Sequence, residues 1–317
     1  MAIQVAVLDD YQEVARELAP WETLSPGAEV TFFHDHLLVD GVVRDMLGGF
    51  EVVVAMRERT PFTAKRLASL PDLKLLVTTG MANASIDMEA ARERGIVVSG
   101  TGSLPSPTAE LAWGLIIALQ RNLLEEGLRM REGGWQRTIG PELAGRTLGI
   151  LGLGSLGRRM ARIAAAFEME VIAWSENLTP AAAAAAGARA VGRDELFERA
   201  DVLTIHTRLS DRTRGIVGER ELSLMKSTAI LVNTSRGPIV DEDALLAALV
   251  EGRIAGAALD VYAKEPLPRD HPLRGAPRTL LSPHLGYVST GTYEVMYRDA
   301  VEDIAAWMRG EPVRVIN

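Results

Sequence analysis

The sequence predicts an α/β protein with two doubly wound parallel sheets, each covered by helices. The chain has 317 residues, about twice the usual length of one domain. Short apolar strands alternate with helix-like stretches in two series, which begin near Ile3 and near Thr147. Runs such as Val52-Val53-Val54 lack polar alternation, which is typical of parallel strands buried on both faces. Together these observations favour two successive parallel sheets.

The first series contains five predicted strands. They cover residues 3–8, 30–33, 52–55, 73–78 and 96–99, and residues 61–70 and 86–94 have helical periodicity. A segment rich in Gly, Ser and Pro follows at 100–107. We expect the chain to cross from one domain to the other in this segment.

The second series follows a predicted helix over about 108–131, which Gly133 and Gly134 should stop. Its six strands cover residues 147–151, 170–174, 202–206, 230–233, 257–259 and 279–281. Helices are predicted at 156–167, 195–200, 219–225, 242–251 and 292–309, and the alanine run 181–186 predicts a surface helix.

Composition excludes several classes of function. Lys and Arg number 34 and Asp and Glu number 42, and the net charge of −8 disfavours nucleic acid as a partner. The absence of Cys excludes disulfides and thiolate chemistry and fits a reducing cytoplasm. No secretory signal or long apolar segment is seen, so we expect a cytoplasmic protein without a membrane partner. His34 and His36 lack a third ligand nearby, so no metal is expected.

A glycine-rich loop joins the first strand and helix of the second series. The segment Gly152-Leu153-Gly154-Ser155-Leu156-Gly157 matches the pattern G-x-G-x-x-G. The first glycine permits a tight turn, the second lets a pyrophosphate approach the backbone, and the third lets helix and strand pack closely. The helix N-terminus adds free N–H groups. The motif predicts dinucleotide binding; the alternative is a glycine-rich turn without a ligand.

The end of the next strand indicates which dinucleotide is bound. Ser175 stands where an Asp that binds the ribose is usual, and Glu176 follows it. Glu176 would repel a 2′-phosphate, and neither Arg nor Lys lies at this strand end. We therefore predict NAD, with NADP the less favoured alternative. Glu176 as a solvated surface charge is the other interpretation.

Three polar residues follow the carboxyl ends of predicted parallel strands, the edge where such sheets bind ligands. They are Arg236, Glu265 and His284. A histidine can donate and accept a proton near neutral pH, and a carboxylate beside it favours the imidazolium and fixes the ring. An arginine can hold a substrate carboxylate with two hydrogen bonds. This set predicts hydride transfer to a carbonyl, whereas a packed structural histidine is the alternative for His284 alone.

The chain resembles the D-isomer-specific 2-hydroxyacid dehydrogenases over nearly its whole length. The motifs that carry this resemblance are the glycine loop 152–157, Asn233-Thr234-Ser235-Arg236-Gly237, Leu259-Asp260-Val261-Tyr262 with Glu265-Pro266, and Ser282-Pro283-His284-Leu285-Gly286. The resemblance implies interconversion of a small 2-oxo acid and a D-2-hydroxy acid. It assigns the acid–base role to His284, with Glu265 as its partner, and substrate binding to Arg236.

The resemblance also implies a domain arrangement and further site residues. A flavodoxin-like substrate domain would comprise residues 1–100 and 285–317, with a Rossmann NAD-binding domain inserted at 101–284. A homodimer would form through the inserted domain, near Gly133-Gly134-Trp135. Substrate contacts would come from Arg57, Met81 and Ala82. Cofactor contacts would come from Thr108, Gly152, Gly154, Ser155, Leu156, Gly157, Ser175, Glu176, His206, Thr207, Thr234, Ser235, Asp260, Gly286 and Tyr287.

Three features depart from the family pattern. Ser175 replaces the usual Asp, Tyr287 stands where a small residue is common, and Ala82-Asn83-Ala84 replaces the Val-Asp-Asn that is often seen near Met81. The identity of the 2-oxo acid therefore stays open. Two other functions on the same fold also stay open, an NAD(H)-sensing, corepressor-like binding protein and a formate dehydrogenase-like enzyme. The second needs no proton donor, so the pairing of Glu265 with His284 favours the hydroxyacid reaction.

Overall fold

A computed structural model describes residues 2–36 and 40–317, and the chain divides into two units. The first unit comprises the described residues of Met1–Leu104 together with Ser289–Asn317, and the second comprises Pro105–Val288. Each unit contains one parallel sheet flanked by helices, so the predicted fold class is confirmed. No helix in these described ranges is both long and apolar enough to cross a membrane.

The sheet of the first unit has five parallel strands in the order β2-β1-β3-β4-β5. The four residues of β3 are all buried because helices cover both faces of the sheet. The strands are β1 Ile3–Val7, β2 Ala28–Phe32, β3 Val52–Ala55, β4 Leu75–Thr78 and β5 Val97–Gly100. The helices are α1 Ala15–Leu18, α2 Asp40–Leu47, α3 Ala64–Ala68 and α4 Met88–Glu93, with a final helix at Thr290–Met308 and a single 3₁₀ turn at Trp21–Leu24.

The C-terminal tail covers the outer edge of β5. Ser99 and Val315 form an antiparallel bridge. The Gly100 N–H donates to the Arg314 carbonyl at 2.9 Å, and the Ile316 N–H donates to the Val98 carbonyl at 2.8 Å. These bonds satisfy backbone groups that an uncovered edge strand would expose.

The sheet of the second unit has seven parallel strands in the order β12-β11-β10-β9-β6-β7-β8. They are β6 Thr147–Leu151, β7 Glu170–Trp174, β8 Arg189–Ala190, β9 Val202–Ile205, β10 Ile230–Asn233, β11 Gly256–Leu259 and β12 Thr279–Leu281. The strand order reverses at β6, which lies between β7 and β9. In doubly wound sheets, such a switch point leaves a crevice at the carboxyl ends of the strands. The two-residue strand β8 was not predicted, because it is too short to show a pattern.

The helices of this unit are α5 Ser106–Gln120, α6 Leu123–Arg131, α7 Ser155–Ala166, α8 Pro180–Ala185, α9 Arg193–Arg199, α10 Glu219–Leu224 and α11 Glu242–Val250. The prediction of one continuous helix over 108–131 is wrong. The helix is interrupted at Asn122, whose φ of 50° is left-handed and incompatible with a continuous α-helix. Asparagine tolerates this conformation better than most residues, and nothing in the apolar periodicity around it signals the break.

Candidate active site

The loops that follow β11 and β12 bring Glu265 and His284 into contact. His284 Nδ1 lies 2.6 Å from Glu265 Oε2. The other carboxylate oxygen, Oε1, accepts a 2.9 Å hydrogen bond from the Tyr262 N–H. Both oxygens of Glu265 are therefore engaged, and the carboxylate fixes the imidazole ring through Nδ1. This arrangement leaves Nε2 as the ring nitrogen that can exchange a proton with a substrate.

The loop that carries His284 is held in an uncommon conformation by Asp260. His284 has a φ of 53°, which is left-handed and costs a non-glycine residue about 1–3 kcal/mol. The fully buried carboxylate of Asp260 accepts hydrogen bonds from the Ser282 hydroxyl at 2.5 Å, the Leu285 N–H at 2.7 Å and the Gly286 N–H at 2.8 Å. Burial raises the pKa of Asp260, and these hydrogen bonds oppose part of that shift.

Arg236 lies on the loop after β10, and the side chain of Asn233 shapes that loop. Asn233 Nδ2 donates to the Arg236 carbonyl at 3.0 Å, and its Oδ1 accepts from the Ser235 N–H at 3.0 Å. The next residue is Gly237, where a Cβ atom would collide with the backbone of Tyr262. The Arg236 loop thus packs directly on the loop that leads to Glu265.

The glycine loop fits the pyrophosphate of a dinucleotide. Gly152 has a φ of 102°, and a Cβ atom there would lie 2.6 Å from the Thr207 nitrogen. A Cβ on Gly157 would collide with the Gly152 carbonyl, whereas a Cβ on Gly154 would meet no atom within 4 Å. The first and third glycines therefore allow close packing, and the second presents bare backbone to open space. Helix α7 starts after Gly154, which supplies no side-chain acceptor for its first N–H groups.

Two polar atoms behind this loop are buried without a hydrogen-bond partner among the described residues. They are His206 Nδ1 and Thr234 Oγ1, which follow the carboxyl ends of β9 and β10. Burial lowers the pKa of His206 to about 4, so its ring is neutral at physiological pH. The Ser235 hydroxyl donates to the Thr207 carbonyl at 2.5 Å and joins the same two loops. Unsatisfied buried polar atoms at this edge are suited to pair with a bound ligand.

The strand end expected to contact the ribose also supports the glycine loop. The Leu153 N–H donates to Ser175 Oγ at 2.8 Å, so Ser175 connects β7 to the loop. Glu176 is exposed directly after it. Ser155 and Leu156 lie in the first turn of α7, as the motif predicts.

Thr108, Gly286 and Tyr287 lie around the His284 loop. The Thr108 hydroxyl donates to the Gly286 carbonyl at 2.7 Å, which ties the start of α5 to this loop. Tyr287 meets His284 edge to face, with ring centroids 5.2 Å apart and an interplanar angle of 79°. Tyr287 is itself buried, so its ring contributes to the packing that holds the histidine.

The three expected substrate-binding residues lie in the first unit, on the loops after β3 and β4. The Arg57 N–H donates to Thr79 Oγ1 at 2.8 Å, and its Nη1 donates to the Thr79 carbonyl at 3.2 Å. Met81 and Ala82 are exposed on the adjoining loop. Asn83 joins the two loops by donating from Nδ2 to the Arg57 carbonyl at 2.6 Å.

Some residues that shape these loops were not predicted from the sequence. Asn233 and Asn83 each shape their own loop through side-chain bonds to nearby backbone. Asn233 is the last residue of β10, and an Asn at the end of a strand is the signal that could have revealed it, whereas Asn83 lies within the loop after β4. The contacts of Tyr262 and the loop-holding role of Asp260 have no comparable local signal, because they join segments about 20 residues apart.

Comparisons with known proteins identify the family of this chain. Residues 113–286 match the family model of the D-isomer specific 2-hydroxyacid dehydrogenase, NAD binding domain. The chain is 40% identical to a glyoxylate reductase of Aeropyrum pernix over 262 residues, which are 79% of this chain and 78% of that protein. It is 36% identical to a D-3-phosphoglycerate dehydrogenase of Methanocaldococcus jannaschii over 82% of this chain and 50% of that one.

Among solved structures, the fold is similar to that of a putative D-3-phosphoglycerate dehydrogenase of Ralstonia solanacearum. The TM-score is 0.94 at 35% identity, covering 100% of this chain and 97% of the other. The predictions of an oxidoreductase with an NAD-binding domain are therefore confirmed. The chain belongs to the D-isomer specific 2-hydroxyacid dehydrogenase family.

Proposed function

We propose that the protein interconverts a small 2-oxo acid and the corresponding D-2-hydroxy acid through Arg236, Glu265 and His284. The observation that carries this proposal is the 2.6 Å contact between His284 Nδ1 and Glu265 Oε2 at the carboxyl edge of the second sheet. A histidine held by a carboxylate is suited to general acid–base catalysis near neutral pH. When bound, NAD(H) supplies or accepts the hydride.

Each side chain has a separate task. In reduction, His284 donates the proton of Nε2 to the carbonyl oxygen as negative charge develops there. Glu265 stabilises the imidazolium before the transfer, and Arg236 holds the substrate carboxylate and polarises the carbonyl. In oxidation, the neutral ring accepts the hydroxyl proton. Asp260 keeps the histidine loop in the conformation that presents the ring.

We assign the two units different roles. The second unit, expected from the sequence at 101–284, would hold NAD(H) through the glycine loop, the residues after β9 and β10, Thr108, Asp260 and the 286–287 segment. The first unit, expected at 1–100 and 285–317, would bind the substrate. Backbone N–H groups at Met81 and Ala82 would hold its carboxylate, and Arg57 would support that loop through its bonds to Thr79.

The proposed cofactor is NAD rather than NADP. Glu176 is exposed where a 2′-phosphate would lie, and the segment from Trp174 to Leu178 contains no cation to compensate. Ser175 keeps its hydroxyl hydrogen available while its oxygen accepts from Leu153. A neutral ribose hydroxyl suits this strand end better than a dianionic phosphate.

We further propose a cytoplasmic homodimer that associates through the region after α5. Trp135 is 70% exposed and Ile139 is 97% exposed, a large apolar area for a monomer surface. Glu126 fixes the segment between them by accepting hydrogen bonds from the N–H groups of Arg137 at 3.0 Å and Thr138 at 2.6 Å. Exposed leucines of α6 extend the same surface, namely Leu123, Leu124 and Leu128. The absence of Cys fits the cytoplasm.

The decisive experiment is NADH oxidation with a panel of glyoxylate, hydroxypyruvate, pyruvate and bulkier aryl or branched 2-oxo acids. Because relatives are glyoxylate reductases, we expect the small acids to react best. Reduction of NAD by formate would instead support the formate dehydrogenase-like alternative. Tight NADH binding with no turnover of any acid would support the corepressor-like alternative.

A further inference from the structure

The side chain of Tyr262 contacts both loops that carry the proposed acid–base pair. This side chain is buried. The hydroxyl oxygen lies 3.1 Å from the Leu259 carbonyl at the end of β11 and 3.0 Å from the Ser282 carbonyl just after β12. Its backbone N–H donates to Glu265. One residue thus touches the loop of Glu265 through its backbone and the loop of His284 through its hydroxyl.

The two carbonyls that the hydroxyl reaches are part of the backbone leading to His284. The Ser282 carbonyl also accepts the His284 N–H at 3.1 Å, across Pro283. The Leu259 carbonyl also accepts the Ser282 N–H at 2.9 Å. The hydroxyl therefore lies where β11 and β12 end side by side, and it shares the Ser282 carbonyl as an acceptor with the backbone N–H of His284.

We infer that Tyr262 is a positioning residue whose hydroxyl sets the distance and orientation of His284 relative to Glu265. This inference rests on the proposed roles of His284 and Glu265. Loss of the hydroxyl removes a donor from the Ser282 carbonyl and loosens the turn that holds His284 at a φ of 53°. The ring of Phe would fill the same space, so the packing would remain.

The hydroxyl acts as a neutral donor throughout the working pH range. Burial raises the pKa of Tyr262 above its ordinary value, and the nearby carboxylates of Asp260 and Glu265 raise it further. Replacement by Phe therefore removes no titrating charge near neutral pH. Other ionisable groups stay in place around these loops, namely Asp260, Glu242, His271 and Arg274. Any change in the pH profile would then report a change in the His284–Glu265 geometry.

The test compares Tyr262→Phe with Tyr297→Phe, a matched loss of a hydroxyl from a fully buried tyrosine of the first unit. For Tyr262→Phe, we expect kcat for 2-oxo acid reduction to fall about tenfold and the alkaline limb of its pH profile to move to lower pH. The Kd for NADH should stay within about twofold, because the Tyr262 hydroxyl bonds to the Leu259 and Ser282 carbonyls, which lie outside the glycine loop. Tyr297→Phe should leave the pH profile in place.

Two controls separate the possible failures. If Tyr262→Phe keeps the wild-type kcat and profile, or lowers kcat equally at every pH in step with its Tm, the positioning role is overturned. Glu265→Gln is measured in parallel. If the pH profile of Glu265→Gln also stays in place, the proposed acid–base pair itself fails. If the pH profile shifts in Glu265→Gln but not in Tyr262→Phe, only the role of Tyr262 is rejected. NMR titration of the His284 ring protons in both variants gives the same comparison without turnover.

Discussion

Glu265 bonds to His284 through one carboxylate oxygen and to the Tyr262 N–H through the other, at 2.6 and 2.9 Å. The carboxylate is therefore fixed before any substrate binds. A charged group held in this way stabilises the imidazolium form of its partner more than a mobile surface carboxylate would. The pH dependence of the reaction follows from this contact.

Replacement of Glu265 by Gln should shift both pH profiles to lower pH. The amide carries no charge, so the imidazolium of His284 loses the stabilisation that the carboxylate supplies. Reduction at pH 7 and above should suffer more than oxidation, because reduction uses the protonated ring. Rate profiles in both directions measure the effect, and unchanged profiles would contradict the pairing.

Replacement of Arg236 by Lys should lower kcat/KM for the 2-oxo acid by at least about a hundredfold. Lysine keeps the charge but loses the planar fork that binds a carboxylate with two hydrogen bonds. A hundredfold loss corresponds to about 2.7 kcal/mol of transition-state stabilisation. The Kd for NADH, measured by fluorescence titration, should change little. Near-normal turnover in this variant would remove Arg236 from the site.

The protein should use NADH more efficiently than NADPH, as measured by kcat/KM for both with one good substrate. Exposed Glu176 repels the 2′-phosphate. Glu176→Gln should therefore improve the use of NADPH and lower the ratio of kcat/KM with NADH to kcat/KM with NADPH. Glu198→Gln, at another exposed position of the same unit, should leave the ratio unchanged. Equal or better use of NADPH by the wild type would reverse the assignment and identify Ser175 as a phosphate ligand.

The stability of the first unit should decrease as the pH rises from about 4 to about 7, through the contribution of Asp303. This side chain is fully buried, and burial raises its pKa to about 7 despite the Arg314 guanidinium at 2.9 Å. Because the pKa of an Asp carboxyl in the unfolded chain is about 3.9, the folded state holds an extra proton in this pH window. The free energy of unfolding should fall by at most about 1.4 kcal/mol per pH unit.

Asp303→Asn removes the titrating carboxyl group. The stability of this variant should therefore depend less on pH than the stability of the wild type. Urea unfolding at pH 5 and pH 8 measures the difference. Glu294→Gln, at an exposed position of the same final helix, should follow the wild type. If the free energy of unfolding changed equally between pH 5 and pH 8 in Asp303→Asn and the wild type, Asp303 would not titrate in this pH range.

Most strands of the fold could be predicted from the sequence, because residues such as Val53 and Leu203 lie in apolar runs buried by helices on both sides. The glycine loop could also be predicted, since its function depends on backbone geometry that glycine encodes. The break at Asn122 could not, because a left-handed asparagine leaves the surrounding helical pattern intact. The contacts made by the Tyr262 hydroxyl depend on the adjacency of β11 and β12, which local sequence does not encode.

The covering of β5 by the C-terminal tail has a consequence for biosynthesis. The partners of Ser99 and Gly100 come from residues 313–315, which the ribosome adds only after the whole second unit has been made. Until then the nascent first sheet carries an open strand edge, the kind of surface on which chains aggregate. The second unit is contiguous in sequence and meets no such delay. Translation therefore favours completion of the inserted unit before the unit that surrounds it.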